Sequence, residues 1–152
     1  MIPPPAATSR STDVAPRYVL DTNVLSEPMR PVPDRQVMNR ITAAGDAVAT
    51  ASVVWHELEF GRLRLPAGKR RRAIETMIDA FASVLVILPY DARAAAWHAR
   101  ERARLARLGK APPFVDGQIA AIAAVNDLVL VTRNLRDFAG FTGLKLESWF
   151  TA

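Results

Sequence analysis

The chain has 152 residues, half of them apolar and 23% charged, the proportions of one ordinary globular domain with a full core. Twenty Lys and Arg against fifteen Asp and Glu leave a formal charge of +5, which favours a polyanionic partner such as nucleic acid but equally describes a solvated basic surface. With no cysteine and only His56 and His98 as histidines, the sequence excludes disulfides, thiolate zinc sites, cysteine nucleophiles and histidine-rich metal centres.

Residues 1–16 open on Met1-Ile2-Pro3-Pro4-Pro5 and continue through Ser9, Arg10, Ser11 and Thr12. This composition predicts a disordered leader or a misassigned start, without the apolar h-region of a secretory signal. Residues 17–152 are expected to form a single domain. No apolar run approaches the ~18 residues of a membrane span, so a cytoplasmic location is the default expectation.

Tyr18-Val19-Leu20 predicts the first strand, followed by a short helical turn from Thr22 to Glu27 that Pro28 ends. Pro31 and Pro33 stiffen the next loop, Asp34 caps a helix to about Ala44, and Gly45 stops it. Val48-Ala49-Thr50 is a second strand, and Ser52 is the expected N-cap of a helix carrying Trp55, Glu57, Leu58 and Leu63. After Pro66 and Gly68, the stripe of Ile74, Ile78 and Phe81 marks an amphipathic helix. Val84 to Leu88 has the length of a third strand, and Asp91 then caps a long helix from Ala92 to about Leu108. Pro112-Pro113 leads to Asp116 and an Ala- and Ile-rich helix, 117–125, apolar nearly all round and therefore central. Val129–Val131 is the fourth strand, and Lys145–Glu147 a weak fifth. Strands alternating with helices predict a three-layer α/β/α fold around a mostly parallel sheet of four to five strands.

Asp21 closes the first strand, so it stands at the carboxyl edge, where open α/β sheets keep their ligand crevice. Glu57 and Asp116 lie on helices near strand ends, and Asn134 and Asp137 follow the fourth strand. Singly, each acid has a structural explanation as a helix cap, a surface residue or a turn former. Their shared address argues otherwise: strands one, two and four end on the same side of a parallel sheet, and Glu57 is about a turn and a half into its helix. Carboxylates gathered there repel one another, and a divalent cation removes that penalty. Oxygen donors without cysteine point to a hard ion.

Four segments in order resemble PIN-domain ribonucleases, and more narrowly the FitB-like branch of VapC toxins from VapBC toxin–antitoxin modules. They are Leu20-Asp21-Thr22-Asn23-Val24-Leu25-Ser26-Glu27, Ser52-Val53-Val54-Trp55-His56-Glu57-Leu58, Asp116-Gly117-Gln118-Ile119-Ala120 and Val131-Thr132-Arg133-Asn134-Leu135-Arg136-Asp137-Phe138. The resemblance implies an acidic core of Asp21, Glu57 and Asp116, with Asp21 and Asp116 as direct metal ligands and Glu57 acting through water or as a proton acceptor. At the fourth position, commonly acidic in the family, this chain has Asn134, with Asp137 three residues later; both are supporting. Thr22, Asn23, Ser52, Thr132 and Arg133 are candidate donors to the carboxylates or the substrate. One or two Mg²⁺ or Mn²⁺ ions, hydrolysis of RNA to a 3′-hydroxyl and a 5′-phosphate, a VapB-like antitoxin encoded nearby whose tail covers the acidic groove, and a homodimer are further implications.

Lys69-Arg70-Arg71-Arg72 is the densest basic run, and Arg100, Arg104 and Arg107 share a face of the long helix; RNA contact and a solvated surface are both open. His56, His98 and the tryptophans Trp55, Trp97 and Trp149 are expected to pack rather than react. A metal-dependent DNA or flap-type nuclease and a catalytically inactive nucleic-acid-binding module are the rival readings.

Overall fold

Strands whose side chains are buried on both faces need helices on both sides of their sheet. In the computed structural model, which describes residues 15–151, the elements are β1 (Tyr18–Leu20), α1 (Thr22–Leu25), a 3₁₀ turn (Glu27–Met29), α2 (Arg35–Ala44), a second 3₁₀ turn (Gly45–Ala47), β2 (Val48–Ala51) and α3 (Ser52–Leu63). There follow α4 (Lys69–Val84), β3 (Val86–Leu88), α5 (Ala92–Arg107), α6 (Phe114–Val125), β4 (Val129–Val131), α7 (Leu135–Phe138) and β5 (Lys145–Glu147). Residues 1–14 of the expected leader lie outside the described residues. Among the described residues no helix is long and apolar enough to cross a membrane.

All five strands are parallel, in the order β3-β2-β1-β4-β5, in the three-layer α/β/α arrangement expected. The weak fifth strand is therefore real and forms one edge of the sheet. From β1 the chain builds outward to β2 and β3, then crosses back to lay β4 on the other side of β1. The switch point thus falls between β1 and β4, where such sheets open their crevice. Register fixes what faces it: Leu20 is level with both Thr50 and Val131, so Asp21 emerges beside Ala51 and Thr132.

The core is built from Val19, Leu20, Leu130 and Val131 of the central strands with Ile119, Ala120, Ala121, Ile122 and Ala123 of α6. Small residues let that helix lie close against β2, β4 and α5, as its all-round apolar pattern predicts. Asp34 caps α2 by accepting from Val37 N at 3.1 Å, and Gly45 ends it with a φ of 53°.

Four boundaries differ from expectation. Pro28 does not end a helix reaching Glu27; α1 stops at Leu25, and Pro28 sits inside the following 3₁₀ turn, which its missing N–H tolerates. Ala51 extends β2 and takes the N-cap position, so Ser52 is the first helical residue and makes no capping bond. Val84 belongs to α4, whose last turn exposes it, and β3 starts only at Val86. Pro113, with φ fixed near −52°, starts α6 at Phe114, so Asp116 is inside the first turn rather than its cap.

Candidate active site

Asp21 leaves β1 with its N–H still bonded to Val131 O at 2.9 Å, and its carboxylate turns back over the switch point. Oδ1 accepts from Thr22 N at 2.8 Å, while Oδ2 accepts from the Thr132 hydroxyl at 2.8 Å and from Asn23 Nδ2 at 3.4 Å. The Thr132 hydroxyl also accepts from Asn134 N at 3.1 Å, and Asn23 Oδ1 accepts from Arg133 N at 3.0 Å. The loops after β1 and β4 are thereby clasped into one unit, and Thr22, Asn23, Thr132, Arg133 and Asn134 all take part in it. Thr50, below, donates its hydroxyl to Leu20 O at 2.9 Å and fixes the end of the strand.

Asp21 is 7% exposed, and burial pushes its carboxyl up; hydrogen bonds from Thr132 and Thr22 oppose the shift, and the charge of Asp137 adds to it. Asp116 faces the same place from the first turn of α6. Burial, then the charges of Asp21 and Asp137, push its carboxyl up to about 6. No described residue donates a hydrogen bond to the carboxylate of Asp116 or of Asp137. The charges of Asp21 and Asp137 are therefore near enough to oppose the ionisation of Asp116.

Glu57 and Ser52 stand apart from that clasp. Glu57 is exposed on α3, and the charges acting on Asp116 do not include it. It forms a ridge between two depressions. One, of about 430 Å³, is polar and lined by Ser52, Val53, His56, Val115 and Gln118. The other, of about 450 Å³, is an apolar trough running from Thr22 along Leu58, Leu65, Ile74 and Ile78, with Arg30, Arg62 and Arg70 on its rim. Gln118 was not foreseen as a lining residue, although its place two residues after Asp116 was the available signal. His56 is exposed and stacks on Phe60, its ring 6.4 Å away, which is surface packing, whereas His98 and Trp149 are buried.

The donor set is carboxylate oxygen supported by hydroxyl and amide donors, which suits a hard divalent cation and no softer metal. Asp21 keeps a lone pair on Oδ1 beyond its bond from Thr22, and Asp116 and Asp137 offer both oxygens. Among the described residues no group of three or more acids or histidines is placed so as to hold a metal ion together.

A model of the PIN domain family matches residues 18–142, and the chain belongs to that family. Among its relatives, a protein from Salmonella typhimurium named tRNA(fMet)-specific endonuclease VapC is 32% identical over 133 residues, spanning 88% of this chain and 98% of that one. Toxin FitB of Neisseria gonorrhoeae is 32% identical over 124 residues, 79% and 89% of the two chains. Two solved structures share the fold across nearly the same span. FitAB bound to the IR36 DNA fragment gives a TM-score of 0.81 at 28% identity, covering 89% of this chain and 97% of that one. DNA-bound VapBC from Salmonella typhimurium gives 0.78 at 29% identity, covering 88% and 98%.

Proposed function

We propose that this protein is the toxin of a VapBC-type toxin–antitoxin module, an endoribonuclease that hydrolyses RNA phosphodiester bonds with Mg²⁺ or Mn²⁺. The observation that carries the reading is the convergence of Asp21, Asp116 and Asp137 at the switch point, with Asp116 pushed up to about 6 by burial and by the other two charges. Relatives named as VapC ribonucleases and as toxin FitB support the same reading at about 30% identity over most of the chain.

Asp21 and Asp116 are the residues that would hold the ion, with the charge of Asp137 acting beside them, and Glu57, which lines a depression together with Thr22, would accept a proton. A bound divalent ion supplies Lewis acidity, making a water more acidic and offsetting charge on the phosphoryl oxygens. Thr132, Thr22 and Asn23 keep the Asp21 carboxylate in one orientation, so no reorganisation is needed when charge develops. Arg133 is exposed at the rim, its backbone tied to Asn23, where its guanidinium can meet a phosphate. Hydrolysis would join a water oxygen to phosphorus, break the P–O3′ bond and pass the water's proton to a carboxylate, while O3′ takes a proton from solvent water and leaves as a hydroxyl.

The apolar trough with its three-arginine rim opens beside Thr22 and Glu57, where an antitoxin tail with apolar and acidic residues would cover the acids. Structured RNA, single-stranded DNA and duplex DNA should be compared with purified protein. Cleavage of RNA should require Mg²⁺ or Mn²⁺, stop with chelator, and drop by about a thousandfold in Asp21→Asn. Chelator-resistant cleavage that survives Asp21→Asn, or cleavage confined to DNA, would overturn the proposal.

A further inference from the structure

Of the seven glycines, Gly117 alone has its side-chain space already taken. A Cβ there would fall 2.0 Å from His98 Nε2, 2.5 Å from Cδ2 and 2.9 Å from Cε1, whereas no other glycine has an atom nearer than 3.7 Å. Gly117 lies in the body of α6 without a positive φ, so its backbone does not demand glycine. Glycine weakens a helix relative to alanine, and here the close approach of the imidazole accounts for it.

The ring itself is firmly held. His98 is 4% exposed on α5, its Nδ1 is 3.0 Å from the Tyr90 hydroxyl, and its ring packs 4.9 Å from that of Phe114. Phe114 and Gly117 are one turn apart on α6, so the imidazole is seated against the turn that carries Asp116. On the reading of Asp116 given above, we propose that His98 is a positioning residue: its ring, anchored by Tyr90 and seated in the space left by Gly117, sets the depth of the first turn of α6 and so the place of Asp116 opposite Asp21.

Gly117→Ala, Gly117→Ala combined with His98→Ala, and His98→Ala alone test this, by metal-free crystal structures and by cleavage assays. Moving a methyl from 2.0 Å to ordinary contact at 3.4 Å requires a displacement of 1.4 Å, expected in the first turn of α6. RNA cleavage by Gly117→Ala should fall about a hundredfold, and the Mn²⁺ concentration for half-maximal rate should rise, which a change of stability alone would not produce. The paired variant should return α6 to its place and recover about tenfold of the rate. If His98 swings aside while α6 and Asp116 stay put, or if the paired variant is no better than Gly117→Ala, the proposal is wrong. Should Gly117→Ala not fold, a folded paired variant reports the same collision, and an unfolded one refutes it. If the unaltered protein cuts no RNA with any divalent ion, the nuclease reading fails while the crystal structures still decide the positioning.

Discussion

The hydroxyl of Thr132 is used twice, donating to Asp21 and accepting from the Asn134 amide, within a residue that is fully buried. Thr132→Val keeps the volume but leaves a buried carboxylate oxygen and an amide short of a partner, a loss of about 1–3 kcal/mol. Urea melts should show it, RNA cleavage should fall about tenfold, and Thr132→Ser should restore both. Asp116 sets a pH dependence. Its carboxyl ionises at about 6 in the folded chain against an ordinary 3.8, so the folded chain holds that proton more tightly. The stabilising contribution is complete below about pH 3.8 and is lost as the pH rises through about 6. Melting of metal-free protein between pH 4 and 7 should therefore show a falling contribution that Asp116→Asn abolishes. If Asp116 holds the ion as proposed, saturating Mn²⁺ should flatten it as well, because a bound ion would favour the ionised carboxylate. An identical slope in Asp116→Asn would refute this assignment.

At the level of elements, β1, β2 and β4 were legible because each is a short apolar run closed by a polar residue, and buried strands need nothing more distinctive. Their limits were less legible. Val84 is apolar and borders a strand, yet it is 55% exposed at the end of α4; hydrophobicity alone does not separate a fraying helical turn from a strand. Ser52 is a good capping residue that a longer β2 displaces, so the pairing of Ala51 with Leu88 of β3 overrode the local preference. The site was readable as four acidic segments in order, but the bond from Thr132 to Asp21 spans 111 positions and no local pattern announces it. Likewise, Gly117 within an Ala-rich helix gave no sign that a histidine fills its side-chain space. Capping by Asp91 was foreseen and has a measurable weight: Oδ1 accepts from Ala94 N at 2.9 Å, and Asp91→Ala should lower stability by about 1 kcal/mol. Thermal melts should register that as roughly 2–4 °C.

Over the whole molecule, the +5 charge is only partly available to a polyanion. Arg71 is bonded to Glu75 and to Leu65 O, and Arg104 to Glu101 and to Gly140 O, so these cations hold the surface together. Arg70 and Arg72 are exposed without an ion pair among the described residues, and Arg70 lines the trough beside Glu57. Replacing both with Ala should reduce the slope of log binding constant against log salt by about 1.4 for single-stranded RNA, if each meets one phosphate. An unchanged slope would make this run a solubility feature.

The central place of β1 has a consequence for how the protein comes into being. Its carboxyl edge is completed by a strand encoded more than a hundred codons later, so a nascent polypeptide carries Asp21 long before Thr132 exists to hold it. A centre put together in that sequence stays incomplete until the codons for β4 and Thr132 have been translated.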